Sequence, residues 1–205
     1  NQLPDMKIVS VLIFRYVGKG QPPMVLSAYY ELSSFGFFQR SGVREVCRFA
    51  AREVVTRSSP GMQIVKYKEY QCYVRINESN LAVAALADEE FPGRVVWDFI
   101  NQVMEQFNKQ YTPSQWQDTT KDLELQVDGA QQLLVKFQKP EEVDKIIKIK
   151  QNLDQTKEIL VKSMDDLLDR GEQLEDLAQR SDDLSFQSKA FVNNADRLNR
   201  CCIIL

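Results

Sequence analysis

The sequence predicts an α+β protein in which a five-stranded, mainly antiparallel sheet is sandwiched by helices and followed by one long helical segment. Three observations carry this. Runs of alternating or continuously apolar residues in the first domain read as strands, three stretches there switch to a helical period, and from Ile146 onward the apolar spacing alternates three and four without a break.

Taken in order, Lys7 to Val17 (KIVSVLIFRYV) is apolar on both faces and rich in β-branched residues, as in a strand covered on both sides. A turn over Gly18 to Pro23 and a strand near Met24 to Glu31 complete a hairpin. A helix follows, with Val43, Val46, Cys47, Ala50 and Val54 on one stripe, Ser41 as its expected cap and Pro60-Gly61 as its stop. Phe49 lies at the edge of that stripe, as a rim residue of the core or as an apolar contact for a mobile segment. Three strands are expected near 62–68, 70–76 and 80–87. A second helix opens near Phe91-Pro92 and carries Val96, Ile100, Val103 and Phe107, and a third runs on Leu123, Val127, Ala130, Leu134 and Phe137 with Gly129 as its weak point. Runs of strands adjacent in sequence pair locally, hence the antiparallel sheet.

Composition narrows the function classes. The chain has 205 residues, 43% hydrophobic and 27% charged, room for one ordinary domain and an extra segment. A net charge of −3 argues against a general nucleic-acid binder. With no histidine, the commonest general base and metal ligand are missing. No GxxxxGK(S/T) loop or GxGxxG fingerprint is present, so an enzyme is not expected, nor any metal or dissociable cofactor. Cys47, Cys72, Cys201 and Cys202 have no zinc or CxxC spacing, and Cys72 reads as a core thiol. A reduced, cytosolic protein is expected, in which the Asn77-Glu78-Ser79 glycosylation pattern is inert. Residues 1–5, ahead of Met6, are set apart as an expression remnant.

The second half is one seam: Ile146, Ile149, Leu153, Thr156, Leu160, Ser163, Leu167, Arg170, Leu174, Leu177, Ser181, Leu184, Ser188, Phe191, Ala195 and Leu198. Eleven of these sixteen layers are apolar, against about seven at the chain's background, so the register is not accidental. As one helix the segment would run about 80 Å, longer than the first domain can cover, so the seam suits partner helices. Its small polar layers suit a bundle of more than two helices. Arg170 is the anomaly. A charge in a packed seam costs several kcal/mol unless acceptors meet it, and amide oxygens on neighbouring helices would do so, fixing register. The alternative is that Arg170 snorkels out of a two-helix contact.

An arginine in such a seam resembles the ionic layer of an R-SNARE, and LDQTKEIL, LLDRGEQLEDL and QSKAF are similar to the SNARE motif of the prenylated longin SNAREs of the YKT type. The order of elements before it resembles a longin (profilin-like) domain, with Ser33 to Ser41 (SSFGFFQRS) similar to the stretch that opens its first long helix. Where family members read ELDETK this chain has Asn152-Leu153-Asp154-Gln155-Thr156-Lys157, and the stretch from Thr112 to Gln126 is the least similar. The resemblance implies a longin domain over 6–138, a linker over 139–145, a SNARE motif over 146–198 and a lipidated tail over 199–205. It implies one helix given to a parallel four-helix bundle with three Q-SNARE helices, whose glutamines meet Arg170, and fusion of membranes along Golgi, endosomal and lysosomal or vacuolar routes. Cys202-Ile203-Ile204-Leu205 fits the CaaX pattern. An isoprenoid is therefore expected on Cys202, farnesyl or geranylgeranyl, with a second lipid on Cys201, since one chain anchors only marginally. The soluble form is expected to be closed, the segment after Pro140 broken into shorter helices that wrap the first domain and shield the lipid near Phe49. A non-fusogenic longin regulator and a lipid carrier are the alternatives.

Overall fold

The computed structural model describes residues 7–143 and 159–193. The first eight elements come in the expected order: β1 (Ile8–Arg15), β2 (Met24–Tyr30), α1 (Arg40–Arg57), β3 (Gly61–Tyr67), β4 (Tyr70–Ile76), β5 (Leu81–Asp88), α2 (Gly93–Gln110) and α3 (Ala130–Phe137). Beyond residue 158 follow β6 (Ile159–Ser163) and the short helices α4 (Met164–Leu167), α5 (Leu174–Arg180) and α6 (Phe186–Asn193).

The sheet has six strands, not five, in the order β2-β1-β5-β4-β3-β6. Five pair antiparallel: β1-β2, β3-β4 and β4-β5 are local pairs, whereas β1-β5 joins strands distant in sequence; β6 is the addition, pairing parallel with β3 from Met62 opposite Ile159 to Lys66 opposite Ser163. Period-two alternation sorts each strand between the two faces. On β1, Val11 and Ile13 face α2 and α3, while Leu12 and Phe14 face α1; on β4, Tyr73 faces the first side and Cys72 and Val74 the second. The expected α2 stripe of Val96, Ile100, Val103 and Phe107 is wholly buried on the first side.

Three local expectations change. The third helix is half as long as expected, because Leu123 to Val127 is extended beside β2, Leu123 N donating to Val25 O (2.7 Å) and Leu125 N to Leu26 O (2.9 Å). Gly129, at φ +83°, makes the turn from that extended run into α3, which an L side chain adopts only with strain. Ser41 lies inside α1 rather than capping it, since the Gly36 turn starts the helix earlier, with Gln39 at the cap position. The second helix opens near Phe91-Pro92 as expected, with Pro92 at the cap of α2. The largest change is to the seam: over 159–193 it is not one helix but a strand and three helices, and its first piece, Ile159–Ser163, is extended.

Candidate functional site

The face of the sheet covered by α1 is completed by residues 159–193, and this shared surface is the candidate site. The isoleucine, leucine and valine that open β6 fit an extended chain, and the β3 edge offers unpaired backbone groups that a strand satisfies. Ser163 then starts α4 with a reciprocal cap: its Oγ accepts from Asp166 N (3.1 Å), and Asp166 Oδ2 accepts from Ser163 N (3.1 Å). Leu168 is extended and ends α4. Gly171, at φ +89°, turns the chain, α5 begins at Leu174, and the extended Ser181 ends it.

These breaks let residues off the seam as well as on it reach the core. Met164, Leu168, Leu174, Ala178, Leu184 and Val192 join one apolar cluster with Leu12, Phe14, Phe49, Val54, Cys72 and Val74. Phe49 is 7% exposed and belongs to that cluster. A cavity of about 90 Å³ remains between the layers, lined among others by Phe49, Val65, Cys72, Met164, Leu174 and Val192. Burial pushes the Cys47 and Cys72 thiols up to about 12, so neither is a thiolate near neutrality. Gly42 allows the closest approach, for a Cβ there would lie 2.5 Å from Phe191 Cε2.

Polar pairs rim the contact. Glu45 Oε2 accepts from Ser185 N (2.9 Å) and Ser188 Oγ (2.6 Å). Arg52 bridges Asp122, beside β2, to Asp183 (3.3 Å), Arg57 reaches Glu172 (3.5 Å), and Lys68 Nζ lies 3.2 Å from Glu175, which also accepts from the Tyr67 hydroxyl. Partial burial pushes the Glu45 carboxyl up, but the Ser188 and Ser185 hydrogen bonds outweigh it and hold the group below its usual value. At Glu175 the Tyr67 hydroxyl and Lys68 likewise overcome partial burial. Pairs this exposed contribute at most about 1 kcal/mol each, so they orient the segment more than they hold it.

Of the seam residues, Leu174, Leu184 and Ser188 are buried here; Ser163, Leu167, Leu177, Ser181 and Phe191 are half-buried, and Leu160 is 46% exposed. Arg170 is exposed on the turn after α4 and has no hydrogen-bond or ion-pair partner among the described residues. Ile146, Ile149, Leu153, Thr156, Ala195, Leu198, Cys201 and Cys202 lie outside the described residues. Sequence reasoning missed Met164, Leu168, Ala178 and Val192 as contact residues. The signal was present as apolar residues off the seam, which a single amphipathic helix would leave in water. It also missed Gly42 and Glu45, whose partners lie 140 or more positions along the chain.

Among the described residues no group of histidine, cysteine, aspartate and glutamate could hold a metal ion, and no helix is long and apolar enough to cross a membrane. A family model described as a Regulated-SNARE-like domain matches residues 32–126, and one described as Synaptobrevin matches residues 145–204. The chain is 44% identical over 200 residues to a putative synaptobrevin homolog YKT6 of Dictyostelium discoideum, covering 96% of this chain and 98% of that protein. It is 36% identical to the VAMP-like protein YKT61 of Arabidopsis thaliana, over 98% and 100% of the two chains. The same identity links it to the synaptobrevin homolog ykt6 of Schizosaccharomyces pombe, over 97% and 100%. A mainly antiparallel sheet between helices, a seam with one arginine whose residues 159–193 fold onto it, and likeness along nearly the full length agree: the chain belongs to the longin-domain R-SNAREs of the YKT type.

Proposed function

We propose that the protein is an R-SNARE in vesicle fusion that gives residues 146–198 as one helix to a parallel bundle with three Q-SNARE helices, and that its longin domain holds that segment in check. It works by assembly, not catalysis, as SNAREs do. The observation that carries the reading is mutual exclusion: Leu174, Leu184 and Ser188, layers of the proposed bundle, are buried under the longin domain. A side chain cannot fill both cores, so bundle formation requires release. Arg170, exposed here, suits the same reading, because it gives up only water when partner glutamines take it.

We place the isoprenoid on Cys202 and a second lipid on Cys201, with the membranes served along Golgi, endosomal and lysosomal or vacuolar routes. A retracted lipid would shelter at the apolar surface around Phe49 by displacing part of the covering segment, since the cavity there is only about 90 Å³ and each buried methylene gains about 0.8 kcal/mol. Cys202→Ser should then leave the whole population soluble, and persistent membrane binding by that variant would remove the anchor from the account.

Mixing the full chain with Q-SNARE motifs tests the assembly. A heat- and detergent-resistant four-chain complex is expected, and its failure to form with any cognate set would leave a non-fusogenic longin regulator. Arg170→Ala should weaken or misregister the complex by about 1–3 kcal/mol for each partner amide left unsatisfied. Arg170→Gln combined with Gln→Arg in one partner should recover much of the loss. No recovery in the compensated pair would defeat the ionic-layer role.

A further inference from the structure

The loop between β2 and α1 presents two aromatic rings to water that no packing in the described molecule uses. Phe37 and Phe38 are 77% and 85% exposed, with ring centroids 5.5 Å apart in an edge-on pair. The backbone beneath them is tied: Phe35 N donates to Leu32 O (3.1 Å), Gln39 N to Gly36 O (2.8 Å) and Arg40 Nε to Phe35 O (3.1 Å). Gln39 Oε1 in turn accepts from Gly36 N (3.2 Å). A tied turn that aims adjacent phenylalanines outward marks a contact site better than scattered exposed leucines do.

The charge around the rings selects the partner. Arg40 and Arg44 are exposed on the first turns of α1, Arg44 lying 5.2 Å from the Tyr30 ring centroid. Two carboxylates lie nearby and keep their charge: Glu31, whose Oε1 accepts from Ser33 N (2.9 Å) and which interacts with Arg40 and Lys7, and Glu45, turned to Ser185 and Ser188 on the α6 side. An aromatic tip beside arginines complements an anionic bilayer surface, with rings in the interfacial layer and guanidiniums at lipid phosphates. Phe186, 92% exposed at the start of α6, adjoins this region, for its neighbour Gln187 donates to Phe38 O (3.4 Å).

We propose that the 35–40 loop is a membrane-contact site, in which Phe37 and Phe38 enter the interface of an anionic bilayer and Arg40 and Arg44 meet its phosphates. The path of the chain fits. Phe191 packs against Gly42 near the start of α1, and the described chain stops at Asn193, eight residues before Cys201. Eight residues reach at most about 30 Å, so a lipid on either terminal cysteine would hold this face of the longin domain near the membrane. That last point rests on the lipid anchor proposed above; the surface itself does not.

The test uses the full chain carrying Cys201→Ser and Cys202→Ser, so no lipid can contribute, and vesicles of phosphatidylcholine with or without phosphatidylserine. Cosedimentation with the anionic vesicles is expected, weakening with salt and with Arg40→Gln plus Arg44→Gln. Phe37→Ser with Phe38→Ser should weaken it about tenfold while leaving thermal unfolding unchanged, because both rings are exposed. In a Phe38→Trp version the added emission should move to shorter wavelength on anionic vesicles. Equal sedimentation with and without the two rings would overturn the proposal. So would the absence of both sedimentation and any spectral shift, which would leave the loop to a protein partner. Neither failure touches the Cys202 anchor, which the soluble fraction of lipidated protein tests separately.

Discussion

The two faces of the sheet are filled with different material. Under α2 and α3 the filling is large and aromatic: Phe99 meets Phe137 at 5.3 Å between ring centroids and Phe107 meets Trp116 at 6.0 Å, all four fully buried. Under α1 and the SNARE segment the buried rings are Phe14, Tyr16 and Phe49 and the rest of the filling is mostly aliphatic, Gly42 opens the approach of α6, a cavity persists, and charged pairs line the rim. Interlocked rings make separation costly; fewer rings, a cavity and a polar border leave less to lose. The first face is therefore expected to be the harder of the two to part.

The largest expected effects separate the faces. Phe107→Ala should cost about 3–5 kcal/mol of global stability and weaken both layers together, read as a shift in the denaturant midpoint. Phe49→Glu puts a carboxylate beneath the SNARE segment, and should strip hydrogen-exchange protection from β6 to α6 while β1, β5 and α2 keep theirs. It should also speed entry into the four-chain complex. Global unfolding by Phe49→Glu, or exchange unchanged in β6 to α6, would erase the distinction between the faces.

A smaller, sharper effect is expected at Gly42. Gly42→Ala forces Phe191 to move and should loosen α6 by about 1–3 kcal/mol, while the alanine itself favours α1 by up to about 1 kcal/mol. Limited proteolysis should then cut within 186–193 faster, with no lower melting temperature for the longin domain. Unchanged cleavage would mean that the Phe191 contact does not hold α6.

The smallest effect is in pH. Glu45 and Glu175 have carboxyls held below the usual value of 4.5 in the closed form, so their contribution is fully present above that value. It is lost as pH falls through the lowered folded values, so closure should weaken only in acid below about 4.5. Glu45→Gln with Glu175→Gln should flatten that dependence of β6 to α6 protection, and an unflattened profile would assign it to other carboxylates.

Much of this was legible before any coordinates. Alternating and continuously apolar runs placed all five longin strands, and the α2 stripe of Val96, Ile100, Val103 and Phe107 is buried as read, because those patterns report a core that is always present. The failures lie where alternative partners compete for one stretch of chain. Leu123 to Val127 carries a helical spacing, yet the β2 edge and the turn at Gly129 make it extended. Ile159 to Ser163 lies in the seam, and the β3 edge makes it a strand.

Sequence alone determined the five longin strands and the order of elements along the chain, the sixteen-layer seam and the placing of one arginine within it, since periodicity records which side chains must share a face. Tertiary structure alone decided that the seam is broken at Leu168, Gly171 and Ser181, that Met164, Leu168, Ala178 and Val192 join the core, and that Arg170 stands in water. The reason is physical. A heptad pattern states what a helix would bury against other helices, whereas the folded monomer has a sheet edge and a helix of its own to cover. The conformation of 159–193 follows the surface that is present.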